Sequence, residues 1–481
     1  MPRARSGTGL RAALLLTGAL SAAAPVAADG RAERLADWAD EVIYFVMIDR
    51  FADGDPGNNA GVDPADPLAF HGGDLAGLTL ALDEIAGLGA TALWITPVAQ
   101  QVPGPVDSPE GPFWPHHGYW AEDLAAIDPR YGTEADLAAL VAAAHERGMK
   151  VLLDVVYNHV GYGAGWTRDR PDWLRQGEEC GGDAVTLCLA DLPDLRTEDP
   201  AVRDALFAAH LGLAARTGLD GFRLDTFKHV EPAFWEAHRD ALRARLGEDF
   251  FLLGEIWDGD KYLAEGPFAA GTLDGLIDFS LRDRVLKFLQ GSESAVRLGR
   301  YLTNRHDLQD GLLAPFLSSH DMPMMLAMLR GDTARLRVAL ALLMLSEGPP
   351  ILAWGEEVAR AGGPWPGNRG DMPWGARDLA PGAGLPRDEA LRADLASLIA
   401  LRRDHPDLWR GPLEVLLAEG DLLVLQRGRW LVAVNRGSAA IGLGVAPPPA
   451  GTYARVWGSG PDDPRGAQPL QGPGVGIWLR E

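Results

Sequence analysis

A (β/α)8 barrel is the fold this sequence predicts, and three observations predict it. Eight short β-branched runs alternate with Ala/Leu-rich stretches of helical period between residues 42 and 404. The polar residues suited to chemistry fall at the ends of several of these runs. A barrel gathers such ends on one face, whereas an open doubly wound sheet would set them around one crevice. Two connections are far longer than a turn needs: 97–132 after the second run and 157–199 after the third. Long insertions at the C-terminal face of a barrel build a binding cleft.

The strands read from the pattern are 42–48 (VIYFVMI), 91–95 (TALWI), 150–155 (KVLLDV), 219–224 (LDGFRL), 250–254 (FFLLG), 274–279 (DGLIDF), 312–317 (LLAPFL) and 349–353 (PPILA). Helical patterns lie between them, clearest at 133–147, 200–216, 231–246, 281–302, 333–346 and 387–404. After about residue 405 the texture changes. Short alternating runs (LEVLLA, LLVLQ, WLVAVN, YARVW, GIWLR) are divided by Gly and Pro, which predicts a small antiparallel β-domain over 405–481. The expected organisation is a signal peptide over 1–28, a barrel over 29–404 with an inserted domain over 157–199, and this β-domain.

The signal-peptide reading rests on Arg3, Arg5 and Arg11, the apolar run AALLLTGALSAAA and the small residues Val26-Ala27-Ala28. The run is too short for a bilayer span, and no later stretch reaches about 18 consecutive apolar residues. A secreted protein is expected, extracellular or periplasmic, with no membrane association once the peptide is removed. In an oxidising compartment Cys180 and Cys188, the only two cysteines, are expected to pair. Hydrophobic residues make up 47% of the 481-residue chain and charged residues 23%, which excludes a disordered polymer. The formal net charge of -23 argues against nucleic acid and anionic membrane as partners and leaves a neutral ligand open. A monomer is expected.

The strand ends carry the chemistry. The third ends in DVVYNH (154–159), the fourth in GFRLDTFKHV (221–230), the fifth in GEIW (254–257) and the seventh in FLSSHD (316–321). In a barrel, Asp225, Glu255 and Asp321 converge on one site beside Arg223, His159 and His320. One such acid alone is ordinarily a salt-bridge partner. Several carboxylates in one cleft suit glycoside hydrolysis, in which an ionised carboxylate attacks the anomeric carbon and a protonated one serves the leaving oxygen. No GxSxG elbow supports acyl transfer and no GxxxxGK[ST] loop supports phosphoryl transfer.

Those four motifs, with LPDL (192–195) between the first two, resemble the α-amylase family, glycoside hydrolase family 13, over roughly residues 40–375. The resemblance implies roles. Asp225 would be the nucleophile, Glu255 the acid/base, and Asp321 a stabiliser of the transition state. Arg223 would hold Asp225 ionised, and Asp154 would orient Arg223. His159 and His320 would hydrogen-bond the sugar at the cleavage subsite, and Tyr119, in HGYW (117–120), would stack on it.

The resemblance also implies calcium. One site would use Asn158, Asp194 and the backbone oxygen of His229, pinning the inserted region to the barrel, with the irregular oxygen shell calcium accepts. A second, like that of cyclodextrin glucanotransferases and some bacterial amylases, would use Asp53, Asp55, Asn58, Asn59, the Gly72 carbonyl and Asp74, from DRFADGDPGNN (49–59) and FHGGDL (70–75).

Lys228 and His229, three and four residues past Asp225, resemble the pair with which α-amylases and cyclodextrin glucanotransferases bind α-1,4-glucan on the leaving side. Ser319 stands where the family usually has Asn, which weakens the case for an animal-type chloride site. The segment 355–374 resembles a loop near the oligo-1,6-glucosidase and neopullulanase branches. The expectation is therefore a retaining endo-hydrolase of α-1,4-glucosidic bonds in starch, glycogen and maltodextrins. The alternatives are a maltogenic or cyclomaltodextrin-type enzyme, or a glucanotransferase, with the same acids. A barrel that only binds carbohydrate is disfavoured because all three acids are present.

Overall fold

The computed structural model describes residues 26–258, 261–305, 310–443, 449–466 and 468–481. The segment read as a signal peptide lies outside the described residues up to position 25; a helix spans Val26–Ala39. No described helix is long and apolar enough to cross a membrane.

Eight parallel strands form the central sheet: β1 (Ile43–Val46), β2 (Ala92–Ile95), β3 (Lys150–Val155), β4 (Gly221–Leu224), β5 (Phe251–Gly254), β6 (Gly275–Asp278), β7 (Leu312–Pro315) and β8 (Ile351–Ala353). Each falls within the run read from the sequence. The order runs β7-β6-β5-β4-β3-β2-β1-β8, and a parallel bridge between Phe316 and Ile351 closes it into a barrel. Apart from the first residues of β3 and β7, every residue of these strands is buried. That is why they read as continuous apolar runs instead of alternating ones: an all-parallel sheet is covered on both faces.

The helices follow the sequence signals. Thr133 and Asp136 form a reciprocal capping box at the start of the Glu134–Glu146 helix. Asp199 caps Pro200–Thr217, which stops at the left-handed Gly218. One expectation is corrected. The helix read over 281–302 is two helices, Phe279–Leu289 and Ala295–Thr303. Gly291 takes a φ of 79° between them, and Ser294 caps the second by accepting from the Arg297 amide. The turn's polar residues outweighed a helical period that continues on both sides.

At the opposite end of the barrel from the long insertions, buried Asp274 leads into β6. Its carboxylate meets Arg31 at 3.1 Å, Arg34 at 2.9 Å and Arg243 at 3.2 Å. This ties the N-terminal helix to the barrel. The connection after β2 holds two small antiparallel pairings, Ala99–Gln101 with Ala121–Ile127 and Val106–Ser108 with Gly111–Phe113. The connection after β3 holds another, Leu174–Arg175 with Asp194–Leu195, and the Cys180–Cys188 disulfide. The C-terminal sheet is antiparallel. It consists of β9 (Glu414–Glu419), β10 (Leu422–Arg427), β11 (Trp430–Asn435), β12 (Tyr453–Gly458) and β13 (Gly474–Arg480), in the order β9-β10-β11-β13-β12. Arg427 fastens it to the barrel by donating to the carbonyls of Leu345 and Leu408.

Candidate active site

Register builds the centre. On adjacent strands β3 and β4, Asp154 pairs directly with Arg223, and Asp225 follows Arg223 by two residues and so shares its face. Arg223, 1% exposed, is the hub. One guanidinium nitrogen donates to Asp154 at 3.0 Å and to Asp225 at 2.6 Å, and the other meets Glu255 at 2.8 Å. Trp94 and Tyr119 donate to the second Asp154 oxygen at 3.2 and 2.7 Å. Asp154 is thereby spent on holding Arg223 and the walls of the site.

A single guanidinium facing three buried carboxylates cannot neutralise them all. Burial, the largest effect, together with the neighbouring Asp225 and Asp321 charges, outweighs Arg223 and pushes Glu255 up to about 8. Burial and the Asp225 charge raise Asp154 to about 7 against the pull of Arg223. Glu255 also accepts from the Thr226 amide at 3.1 Å. Thr226 achieves this in the left-handed region at φ 49°, a conformation β-branched residues rarely adopt.

The third acid stands in the opposite field. Burial works to raise Asp321, but His320 at 3.0 Å, Arg369 at 3.3 Å and the Arg223 charge overcome it and hold the carboxyl well below its ordinary range. Arg369 also donates to the His320 carbonyl at 3.0 Å, and Asn368 does so at 2.6 Å, so the loop after β8 fixes the loop after β7. The Tyr119 ring lies parallel to His320, with centroids 5.3 Å apart and planes 1° apart. His159 and His320 are buried, and burial lowers the proton affinity of both.

Asp154, Arg223, Asp225, Glu255, Tyr119, His320 and Asp321 thus form one connected cluster, with buried His159 beside them. Lys228 and His229 sit at its edge. The Lys228 ammonium donates to the Trp257 carbonyl at 3.0 Å and meets Asp258 at 3.3 Å. His229 Nδ1 lies 2.7 Å from the Ala184 carbonyl in the inserted region. Trp94, Thr226, Asn368 and Arg369 were not singled out by the sequence reading. Arg369 had a faint signal, one arginine within the Gly/Pro-rich 355–374 loop. Thr226 had none, because its part depends on a backbone dihedral.

Asn158 and Asp194 are buried, and each leaves one side-chain oxygen with no hydrogen-bond partner. A backbone bridge between His159 and Asp194 sets them side by side. Arg175 takes the other Asp194 oxygen at 2.7 Å, and burial raises Asp194 to about 7. In the second set, buried oxygens of Asp53, Asn58 and Asn59 have no donors. Gly72, at φ 96°, lies so close that a Cβ there would meet Asn59 Oδ1 at 2.7 Å. Asp74 is differently employed: its carboxylate caps the Leu75–Leu80 helix and accepts from the amides of Gly54, Asp55 and Gly77. Asp55 accepts from the Gly57 amide at 3.0 Å in an exposed turn. No three His, Cys, Asp or Glu side chains cluster as a metal cage among the described residues. Both sets are mixtures of acid and amide oxygens, the donor type calcium takes, and the residues present fit it.

Comparison with known proteins decides the family. The model described as "Alpha amylase, catalytic domain" matches residues 45–178 and 183–392. The chain belongs to the α-amylase family, glycoside hydrolase family 13. It is 31% identical to Alpha-amylase 2 of Schwanniomyces occidentalis over 83% of this chain and 80% of that protein. It is 29% identical to a cyclomaltodextrinase of Geobacillus thermopakistaniensis over 80% of this chain and 66% of that one. Neopullulanase 2 of Thermoactinomyces vulgaris is 31% identical over 78% of this chain and 65% of that protein. Among solved structures, an α-amylase from Geobacillus thermoleovorans complexed with acarbose superposes with a TM-score of 0.76 at 30% identity, covering 92% of this chain and 99% of that one.

Proposed function

We propose that this family member is a secreted, monomeric, calcium-binding endo-α-amylase that cleaves α-1,4-glucosidic bonds in starch, glycogen and maltodextrins with retention. One observation carries the chemistry: Arg223 joins Asp225 and Glu255 on a single guanidinium, while burial keeps Glu255 protonated to about 8. The two carboxylates are therefore neighbours with different protonation demands, as a double-displacement reaction needs. Ionised Asp225 attacks the anomeric carbon. Glu255 gives its proton to the departing glycosidic oxygen as that bond breaks, leaving a glycosyl ester on Asp225. The Glu255 carboxylate then takes a proton from water, whose oxygen displaces Asp225 and returns the α-anomer. Asp321, ionised beside His320 and Arg369, supplies negative charge to the oxocarbenium-like transition state. His159, His320 and Tyr119 hold the sugar, and Lys228 and His229 hold the leaving portion. Asn158, Asp194 and the His229 carbonyl would hold calcium, which would supply rigidity between the inserted region and the barrel. A second ion would be held by the 53–74 loops.

The relatives named as cyclomaltodextrinase and neopullulanase favour a second reading, an enzyme with the same acids that prefers cyclic or branched substrates. A chromatographic time course on soluble starch, pullulan and cyclodextrin separates the two. A broad early spread of maltodextrins from starch supports endo action. Faster turnover of cyclodextrin or pullulan than of starch supports the alternative.

A further inference from the structure

A groove of about 1000 Å³ adjoins the catalytic centre. Trp257, two residues past Glu255, and Met322, next to Asp321, form its near edge, and the Phe279–Leu289 and Ala295–Thr303 helices contribute to its walls. Trp257 and Tyr262 are each 48% exposed there. Among the described residues its lining carries five cationic side chains against three carboxylates, in a chain whose net charge is -23. The three carboxylates are already engaged: Asp258 with Lys228, Asp283 with Lys287, and Glu293 with Arg284. Arg297 and Arg300 are exposed, stand one helical turn apart and form no ion pair among the described residues.

Exposed aromatic faces beside a sugar-cleaving centre suit a continuing glucan chain. Neutral sugar does not call for two unpaired guanidinium groups, whereas a phosphoryl group does, since arginine matches its oxygens bidentately. We propose that this groove binds the leaving-side portion of α-glucans bearing phosphate monoesters, with Arg297 and Arg300 on the phosphoryl oxygens and Trp257 and Tyr262 against the sugar rings. The proposal rests on the α-glucan reading of the catalytic centre.

The test measures kcat/KM on a gelatinised phosphorylated starch, on the same starch after phosphatase treatment, and on the treated starch with added inorganic phosphate. It uses the wild type and the R297Q/R300Q double variant. Wild type should prefer the phosphorylated starch by about two- to fivefold per arginine engaged, the range of an exposed ion pair. Rising salt should shrink the preference. The double variant should bring the ratio to one while leaving the treated starch unaffected. A wild-type ratio of one, or a ratio that survives in the double variant, overturns the proposal. Activation by inorganic phosphate on the treated starch overturns it too, because the ligand would then be a free anion. Failure of wild type to cleave the treated starch would instead refute the glucan reading itself.

Discussion

Replacing Glu255 with Gln tests the centre most directly. The structure pushes this carboxyl from its ordinary 4.5 to about 8. At pH 7 a group of the ordinary value would be protonated in roughly 0.3% of molecules, and one near 8 in roughly 90%, so burial multiplies the acid-competent fraction about 300-fold. The sign follows: a raised value keeps the proton on through neutrality, and starch turnover falls as pH rises through about 8. In Glu255→Gln the proton is gone. Starch hydrolysis should drop by about 10²–10⁴, and the alkaline limb should disappear from what remains. α-Maltosyl fluoride, whose fluoride departs without protonation, should lose far less in the first step. The second step still lacks its base, and azide, which needs no deprotonation, should restore turnover. A fluoride electrode and starch reducing-end assays read both. Equal losses on starch and on the fluoride, with no azide rescue, would show that Glu255 is structural and not the acid.

Asp225→Asn should remove starch hydrolysis at unchanged fold by circular dichroism, and in the wild type NMR should detect the α-anomer first; the β-anomer first would exclude a glycosyl ester on Asp225. Chelation should lower the thermal midpoint by a few degrees, since an ion bound only to the folded state stabilises by mass action. That shift should shrink in Asp53→Ala and in Asn158→Ala, and a midpoint indifferent to chelator and to added calcium removes the metal. Lys228→Ala should weaken long α-1,4-glucans by about ten- to a hundredfold in kcat/KM, the cost of one charge-assisted hydrogen bond, and spare short substrates with activated leaving groups. Equal ratios on both would confine Lys228 to its contacts with Trp257 and Asp258.

What the sequence made legible follows from what repeats locally. An apolar run ending in an acid is visible in one dimension. So the strands bearing Asp154, Asp225, Glu255 and Asp321 were placed, and the barrel then brought the acids together. The pairing of Cys180 with Cys188 was readable from their number and spacing. What was not legible was whatever depends on distant loops meeting. Arg369 reaches Asp321 across 48 positions, and nothing in its Gly/Pro-rich neighbourhood announces a ligand. Trp94 lies in a continuous apolar strand, where nothing marks that its indole donates to Asp154. Nothing beside Lys228 in the sequence marks its partners, the Trp257 carbonyl and Asp258, because another strand end supplies them. The break at Gly291 was missed because helical period persists across it and the turn chemistry of a few residues decides.

The deeper regularity is that one barrel face holds its acids in opposed environments. Glu255 and Asp321 both feel the Arg223 charge and both lose hydration, yet their proton affinities move apart. Asp321 has two further cationic or polarisable partners, His320 and Arg369, delivered by the loops after β7 and β8. Glu255 shares its guanidinium with Asp154 and Asp225, and among the described residues its one other donor is the Thr226 amide. The difference between an acid that keeps its proton and one that cannot is therefore a count of local donors against local carboxylates. It is set by which strand end each acid occupies and not by residue type. Asp154 is spent differently: it shares one Arg223 nitrogen with Asp225, while the other nitrogen faces Glu255.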